Sequence, residues 1–320
     1  MNKQIDQLHA PVMLARCLEV LGVALEGKPA VMVDGTLGLG GHSEAFLERF
    51  PELTLIGIDR DTNALALAGE RLARFADRTH LVHAVYEEIA EVIEELGYQG
   101  VDAILLDLGV SSMQLDQADR GFAYSYDAPL DMRMDTSRGI TAAEVVNTYE
   151  EKDLARIFKE YGEERYAKQV AAAIVAQRAS AKFENSAALT GLIAKVIPFI
   201  PGKSTGHPAK RVFQALRIEV NGELEVLTRT MPAAIESLNV GGRILVLAYH
   251  SLEDRIVKQS LAAASTSSAP VDLPIELPEH APILKLVVKG AELASDSEIT
   301  ENPRSASVRL RAAEKIRRAA

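Results

Sequence analysis

Residues 30–43 read AVMVDGTLGLGGHS, and this stretch decides the fold class of the chain. An apolar run ends at Asp34, glycines follow at once, and a helical pattern of apolar residues opens at Ser43. Glycines permit a tight turn and let the backbone approach a ligand closely. The stretch therefore predicts a strand, a glycine-rich turn and a helix, which together begin a βαβ unit.

The same alternation of strand and helix patterns continues through the first third of the chain. The predicted strands are Ala30–Val33, Leu53–Ile58, Thr79–Val85 and Val101–Leu106. The predicted helices between them are Ser43–Phe50, Ala64–Phe75 and Glu87–Leu96. Strands that alternate with helices form a parallel sheet covered on both faces, with right-handed crossovers. We therefore predict an α/β domain with a mostly parallel, Rossmann-like sheet.

An insertion interrupts this pattern. The next convincing strand, Arg243–Ala248, comes more than 130 residues after the fourth, whereas an ordinary crossover needs far fewer. Between them we predict the helices Ala142–Tyr161, Glu163–Ser180, Ser186–Ile197 and Pro208–Met231. The sequence thus predicts an all-helical domain at 115–225, inserted into an α/β domain made of 1–114 and 226–320. Further predictions are a loop at 262–282 and a late hairpin of Leu284–Val288 with Ser307–Arg311.

Composition excludes several classes of protein. The chain has 320 residues, of which 25% are charged and 48% hydrophobic, as in ordinary globular proteins. It contains no apolar run of the roughly 20 residues that a membrane span needs, and its N-terminus shows no secretory pattern. Its single cysteine, Cys17, excludes a disulfide framework within the chain. We therefore expect a soluble, cytoplasmic protein that does not bind membranes.

The charge is acidic overall but unevenly distributed. A formal net charge of −10 argues against nonspecific binding of nucleic acid. Residues 182–220, however, carry six Lys/Arg against two Asp/Glu, and residues 302–320 carry six against one. These segments could form a local phosphate-binding face or could be ordinary solvated surface, and the composition alone leaves both interpretations open.

The glycine-rich turn predicts a nucleotide-like cofactor. Asp59 ends the second strand nineteen residues beyond Gly40, where a carboxylate can accept both hydroxyls of an adenosine ribose. Both a dinucleotide and S-adenosylmethionine fit this pattern. Asp34 precedes the glycines, where its charge would repel a phosphate but not the ammonium group of S-adenosylmethionine. We therefore favour S-adenosylmethionine, while an NAD-dependent oxidoreductase and a glycine turn without any ligand remain alternatives.

A second group of polar residues follows the fourth predicted strand. In open parallel sheets, ligands bind beyond the carboxyl ends of the strands, so Asp107 is expected beside the reacting atoms. Ser111, Ser112 and Gln114 come next and could hydrogen-bond a cofactor or an acceptor. The alternative is that Asp107 only caps local backbone N–H groups.

Ten blocks of sequence together resemble the 16S ribosomal RNA cytosine N4-methyltransferases (the RsmH/MraW type). They lie at 9–13 (HAPVM), 34–43, 57–61 (GIDRD), 105–112 (LLDLGVSS), 119–122 (DRGF), 129–135 (PLDMRMD), 161–165 (YGEER), 207–218 (HPAKRVFQALRI), 250–255 (HSLEDR) and 302–305 (NPRS). The resemblance runs in order from residue 9 to about residue 312. It implies a methyltransferase domain that uses S-adenosylmethionine, with a helical insertion, and a homodimer.

The resemblance also implies a substrate and a set of site residues. The substrate would be a cytidine at position 1402 of 16S rRNA, in the decoding centre of the small (30S) ribosomal subunit, methylated on N4. No metal ion is implied. By motif match, the cofactor contacts fall on Gly40, Gly41, His42, Asp59, Tyr86, Asp107 and Gln114. Tyr86 stands where the family has Phe, and either ring could stack on adenine.

Contacts to RNA are expected on the predicted helix that begins near Pro208. Its polar residues Lys210, Gln214, Arg217 and Asn221 follow helical spacing and share one face, with Arg211 beside them. They could bind phosphates and bases, or they could form the solvated face of an amphipathic helix. The aromatic residue that often follows the fourth strand in amino methyltransferases is absent here. Phe122 or Tyr124 could replace it by stacking on the target base.

For catalysis, we expect Asp107 to orient the target amine or the cofactor. His42 and His250 are alternative proton acceptors, although a structural role is equally open for His250. Competing functions also remain: a methyltransferase for a protein or a small molecule, and a noncatalytic assembly factor that binds the cofactor.

Overall fold

The computed structural model describes residues 11–111, 113–114, 117–198, 206–270 and 277–318. The chain divides into two compact units. An α/β unit comprises Met1–Gly109 and Leu224–Ala320, and a helical unit comprises Val110–Glu223.

The α/β unit is built on one sheet. In the described part of the chain its seven strands are β1 (Ala30–Asp34), β2 (Leu53–Asp59), β3 (Thr79–His83), β4 (Val101–Asp107), β5 (Leu238–Ala248), β6 (Leu284–Leu286) and β7 (Arg309–Lys315). Their order across the sheet is β3-β2-β1-β4-β5-β7-β6. The first five strands are parallel, while β7 is antiparallel to both β5 and β6. The predicted Rossmann-like, mostly parallel sheet is therefore confirmed.

Helices flank this sheet and form the helical unit. In chain order they are α1 (Leu14–Leu25), α2 (Gly41–Arg49), α3 (Thr62–Leu72), α4 (Ile89–Glu95), α5 (Ala142–Thr148), α6 (Glu151–Glu160), α7 (Ala167–Arg178), α8 (Ser186–Val196), α9 (Ala209–Asn221), α10 (Glu223–Ser237), α11 (Ser251–Ser265) and α12 (Asp296–Glu301). None of the described helices combines the length and the apolar character that crossing a membrane requires.

The middle of the sheet is buried on both faces, because strands β1, β2 and β4 are almost continuously apolar. Successive side chains of a strand point to opposite faces. In β4, for example, Leu105 lies in one apolar core and Ile104 and Leu106 lie in the other. This pattern is typical of parallel strands covered by helices on both sides.

Three predictions for the α/β unit need correction. The loop predicted at 262–282 is helical at its start, because α11 continues to Ser265. Strand β5 begins at Leu238, so Gly241 and Gly242 lie inside the strand at a register irregularity and not in a turn before it. Strands β6 and β7 do pair, but α12 lies between them, so their connection is not a tight hairpin.

Two of the four long helices predicted for the insertion are wrong. The predicted helix Ala142–Tyr161 breaks at Tyr149 and Glu150, which are extended. The neighbouring Asn147 exchanges two hydrogen bonds with the backbone of Phe183, at 2.8 and 3.0 Å, and this tertiary contact outweighs local helix propensity.

The predicted helix Pro208–Met231 breaks at Gly222, which has a φ of 62°. A residue in this left-handed region ends a helix, and glycine adopts it without steric cost. Of the other two helices, α7 begins at Ala167 and not at Glu163, whereas α8 begins at Ser186 as predicted and ends one residue early.

Candidate active site

The order of the strands reverses between β1 and β4. In open α/β sheets, ligands bind outside the carboxyl ends of the strands at such a point. Strands β1, β2 and β4 end at Asp34, Asp59 and Asp107. Because these strands are parallel and adjacent, the three carboxylates lie along one edge of the sheet. We call this row the carboxyl edge.

The glycine-rich turn follows β1 at the carboxyl edge. Gly38 and Gly40 have φ angles of 52° and 74°, and Gly40 caps the N-terminus of α2. Gly41 is needed for packing, because a Cβ atom there would lie 2.8 Å from Cγ of Pro11. The turn therefore leaves the first backbone N–H groups of α2 without helical partners, as at many ligand-binding helix starts.

Asp34 stabilises this turn from inside. Its carboxylate is 2% exposed and accepts hydrogen bonds from Oγ of Ser43 at 2.7 Å and from the backbone N–H of Thr36 at 3.2 Å. Burial raises its pKa. A carboxylate in this place disfavours the phosphates of a dinucleotide, which supports the argument made from the sequence.

Asp59 retains acceptor capacity for a ligand. One carboxylate oxygen accepts from the backbone N–H of Gly38 at 2.7 Å, and the other accepts from that of Asp61 at 2.8 Å. A carboxylate can accept about four hydrogen bonds, so about two positions remain for the hydroxyls of a ribose. Burial raises the pKa of Asp59 to about 6 despite these two bonds.

Asp107 is held by three neighbours. Its backbone N–H donates to Oγ1 of Thr36 at 2.6 Å, and the hydroxyl of Tyr249 donates to its Oδ1 at 2.6 Å. Nδ1 of His42 lies 3.7 Å from Oδ2. Burial raises the pKa of Asp107, although His42 and the Tyr249 bond act in the opposite direction. The side chain is still 25% exposed, so a ligand can reach it.

Tyr249 is the residue of this site that sequence reasoning missed. It directly follows β5, and β5 pairs with β4 in the register Asp107↔Leu247, which brings its ring to the carboxyl edge. Burial, together with the adjacent carboxylate of Asp107, raises the pKa of the Tyr249 hydroxyl well above its usual value. The hydroxyl therefore remains a donor. The available signal was its position immediately after a buried strand of the same sheet.

The two candidate histidines differ in what their rings contact. Nε2 of His42 donates to the carbonyl oxygen of Val12 at 2.9 Å, which turns Nδ1 toward Asp107. His250 caps α11: its Nδ1 accepts from the backbone N–H of Glu253 at 3.4 Å, and its Nε2 lies 3.2 Å from the carboxylate of Glu253. The capping bond of Nδ1 favours the structural role for His250, although its buried Nε2 makes no hydrogen bond with good geometry to any described residue.

The remaining predicted cofactor contacts lie in different units. Tyr86 is half-buried and begins a short 3₁₀ turn after β3. It packs close to Gly35 of the glycine-rich turn, since a Cβ atom added to Gly35 would lie 3.3 Å from Cβ of Tyr86. Gln114 belongs to the helical unit, where its side-chain oxygen accepts from the backbone N–H of Ser111 at 3.1 Å. Ser112 lies outside the described residues. The roles of Tyr86 and Gln114 stay predictions.

On α9, only part of the predicted polar stripe faces solvent. Lys210 and Arg211 are exposed. Gln214 donates to the carbonyl oxygen of Tyr161 at 2.9 Å. Arg217 donates to the carboxylate of Glu223 at 2.8 Å, and its side chain is 16% exposed.

Asn221 does not lie on an exposed face, and that expectation is wrong. The residue is 8% exposed, and its amide donates to the carbonyl oxygens of Met132 and Arg217 at 2.8 and 2.9 Å. Its Oδ1 accepts from the backbone N–H of Met134 at 2.8 Å. The loop around Met132, which has a φ of 62°, covers this end of α9 and uses the polar groups of Asn221.

The chain is similar to known proteins over nearly its whole length. Residues 6–316 match the model of the MraW methylase family. A protein of Saccharopolyspora erythraea named "Ribosomal RNA small subunit methyltransferase H" is 60% identical over 311 residues, which cover 97% of this chain and 94% of that protein. A protein of the same name from Clavibacter sepedonicus is 60% identical over 314 residues, with 98% of each chain covered.

The resemblance found in the sequence is thus confirmed over nearly the whole chain. Of the alternatives kept open, the NAD-dependent oxidoreductase and the glycine turn without a ligand do not fit this match. The chain belongs to the MraW methylase family and is a methyltransferase.

Proposed function

We propose that this methyltransferase methylates N4 of cytidine 1402 of 16S rRNA, in the decoding centre of the small ribosomal subunit. Its methyl donor is S-adenosylmethionine. The observation that most supports the proposal is the carboxyl edge with Asp59 and Asp107, in a chain that matches rRNA methyltransferases from end to end. The cytoplasm, where ribosomes act, is the expected location.

The residues at the carboxyl edge fit the cofactor. Asp59 offers about two acceptor positions to the ribose hydroxyls, and Tyr86, beside the glycine turn, offers a ring to the adenine. Gly40 and Gly41 form the start of α2, which faces the methionine carboxylate in this proposal. We assign His42 and Gln114 to the cofactor by family motif only.

Bound S-adenosylmethionine supplies an electrophilic methyl group. The exocyclic amine of cytosine is a poor nucleophile because its lone pair is delocalised into the ring, so the enzyme must hold the reacting atoms in line. Such positioning contributes roughly 7–11 kcal/mol in favourable cases. Asp107 is suited to orient the amine or the ammonium group of the cofactor, since its carboxylate is reachable and fixed by Tyr249. The attacking amine loses one proton, which passes to an acceptor such as Asp107 or water.

The helical unit is proposed to recognise RNA. Lys210 and Arg211 project from the start of α9 and can contact phosphates, while Gln214 and Arg217 keep their donors partly engaged inside the unit. A net charge of −10 is compatible with this role if a local basic patch and the shape of an assembled particle select the substrate. We therefore expect the small subunit to be a better substrate than free RNA, and we expect the enzyme to act as a homodimer.

The test is to map methylated nucleotides by mass spectrometry in 16S rRNA from cells with and without this protein. The proposal predicts N4-methylation at cytidine 1402 in the first sample and its loss in the second. Adding the purified protein and S-adenosylmethionine to unmodified small subunits should restore it. Methylation of another nucleotide, or of a protein, would reject the proposed target. Binding of S-adenosylmethionine without turnover would instead support a noncatalytic assembly factor.

A further inference from the structure

Two aromatic rings form a stack on the helical unit that the proposed function does not yet use. The rings of Tyr124 and His207 lie 4.9 Å apart, centroid to centroid, at an interplanar angle of 14°. Tyr124 also meets the ring of Phe213 edge-on at 5.9 Å. Phe213 is only 3% exposed, whereas His207 is exposed. The pair, which we call the aromatic stack, is therefore anchored in the core at one end and open to solvent at the other.

The exposed ring is held in a fixed orientation. Nδ1 of His207 accepts a hydrogen bond from the backbone N–H of Ala209 at 3.1 Å, and its carbonyl oxygen accepts from the backbone N–H of Lys210 at 3.0 Å. Since Nδ1 accepts, the proton of the neutral ring is on Nε2. A ring that is already ordered loses little conformational entropy when a ligand stacks on it.

Cationic side chains lie next to this ring in the chain. Lys210 and Arg211 are exposed, and Arg211 makes one long contact, at 3.3 Å, from Nη1 to the carbonyl oxygen of Glu163. Surfaces that bind single-stranded nucleic acid combine cations that contact the backbone with aromatic rings on which bases stack. Both features occur here within residues 207–211.

We propose that the aromatic stack binds an unpaired nucleobase of the RNA substrate, with Lys210 and Arg211 contacting the adjacent phosphates. The proposal rests on the proposed function only in taking RNA as the substrate. Bases inside a duplex are already stacked on their neighbours, so the ligand is a splayed or single-stranded base. Stacking accepts any base, so this site contributes affinity and register without reading sequence.

Two substitutions of His207 separate this role from helix capping. His207→Asn removes the ring but keeps a side chain that caps helices well, whereas His207→Phe keeps a ring but removes the acceptor. Two readouts are needed: the KM for unmodified small subunits, and the Kd for a short single-stranded RNA that carries a fluorescent base analogue. We expect His207→Asn to raise both by about 5- to 100-fold, and His207→Phe to stay within about threefold of wild type. The Kd for S-adenosylmethionine should not change in either variant.

His80→Asn is the matched control. His80 is also exposed and also touches a tyrosine, Tyr98, at a centroid distance of 6.4 Å, but it lies on β3 of the α/β unit. This variant should have the wild-type KM for unmodified small subunits and the wild-type Kd for the short single-stranded RNA.

Several outcomes would overturn the aromatic stack as a base-binding site. These are wild-type RNA binding by His207→Asn, a loss of RNA binding in His207→Phe equal to that in His207→Asn, or a wild-type protein that binds neither the small subunit nor the short RNA.

The proposed reaction is tested separately. If RNA binding depends on the ring but no N4-methylcytidine forms in the small subunits, the reaction is rejected and the stack stands. If His207→Asn methylates with the wild-type KM, the reaction stands and the stack is rejected.

Discussion

The carboxyl edge and the helical unit differ in how far apart in sequence their key contacts lie. At the edge, Asp34 accepts from Ser43, nine residues away, and Asp59 accepts from Gly38, twenty-one residues away. In the helical unit, the amide of Asn221 reaches Met132, which is 89 residues away. Short separations leave patterns of glycine and carboxylate that can be recognised in the sequence, whereas long ones do not.

The edge itself also contains long-range contacts, all made by Asp107, and the one to Tyr249 shows the same effect. Tyr249 donates to Asp107 across 142 residues. Asp107 could be predicted because it ends a buried strand, and Tyr249 likewise follows one. The hydrogen bond between them could not be predicted, because it depends on β5 pairing with β4. We therefore expect substitutions at the edge to change catalysis and cofactor binding, and substitutions of the buried polar groups in the helical unit to change stability.

The largest effect is expected at Asp107. Replacing it with asparagine should lower kcat by about 10²- to 10³-fold, as losing one preorganised electrostatic contact does in other enzymes. Steady-state kinetics on unmodified small subunits would measure this. Asp102→Asn is the matched control, since Asp102 lies on the same strand but accepts hydrogen bonds from Lys28 and from the backbone N–H of Val31. The Asp102→Asn substitution should lower stability and leave kcat unchanged. Wild-type turnover in Asp107→Asn would contradict the assignment.

Asn221→Ala tests the helical unit. It should lower the free energy of unfolding by about 2–4 kcal/mol, because hydrogen bonds to the backbone of Met132 and Met134 are lost in a buried setting. Urea unfolding would measure the change. Asn185→Ala is the control, since Asn185 is exposed and its side chain makes no capping bond. A stable Asn221→Ala protein with weakened RNA binding would instead support the original expectation of an RNA contact.

Tyr249→Phe tests whether Tyr249 positions Asp107. A hydrogen bond to a charged group contributes about 1.5–3 kcal/mol, so kcat/KM for S-adenosylmethionine should fall about 10- to 100-fold. Tyr98→Phe, at a half-buried tyrosine away from the carboxyl edge, should have no such effect. If Tyr249 acts through Asp107, adding Tyr249→Phe to Asp107→Ala should cause little further loss. Independent, additive losses would show a different role.

The raised pKa of Asp59 predicts that cofactor binding depends on pH. Burial raises its pKa to about 6 in the free protein, while ribose hydroxyls that donate to it favour the ionised form. Affinity for S-adenosylmethionine should therefore be full above about pH 6 and should fall as pH decreases, by up to about tenfold per unit. Calorimetric titration of the protein with S-adenosylmethionine at pH values above and below about 6 would measure this affinity. Asp59→Asn should bind weakly at every pH, and an unchanged pH slope in this variant would assign the effect to another group.

The smallest effect is expected from the exposed cations of the helical unit. The double variant Lys210→Ala/Arg211→Ala should bind single-stranded RNA more weakly, with a salt slope lower by roughly 0.7 for each lost phosphate contact. Lys152 and Lys168 are exposed on other helices of the unit, so their double alanine variant is the control. Equal slopes for the two double variants would reject a specific contact at the start of α9.

Much of the α/β unit could be predicted because its signals are local. The glycine turn, the buried strands and the carboxylates at strand ends all depend on residues close in sequence. Helix α1 was not predicted, and β5 begins earlier than expected because Gly241 and Gly242 mark an irregularity inside a strand. Glycine indicates an unusual backbone, but it does not distinguish a turn from a bulge.

The helical unit was harder to predict because helix periodicity continues across breaks. Apolar spacing in 142–161 does not show that Tyr149 is extended, since that conformation depends on contacts with Phe183 and Glu219 from distant segments. Likewise, Asn221 has the spacing of a surface residue and the environment of a buried one. A face of a helix can be assigned from sequence, but what covers that face cannot.

A crystal structure of the protein with S-adenosylmethionine bound would show directly whether the carboxyl edge holds the cofactor. We predict the ribose hydroxyls on the carboxylate of Asp59 and the methionine end between Gly40 and Asp107. A cofactor bound away from the carboxyl edge, or one that makes no contact with Asp59, would contradict this prediction.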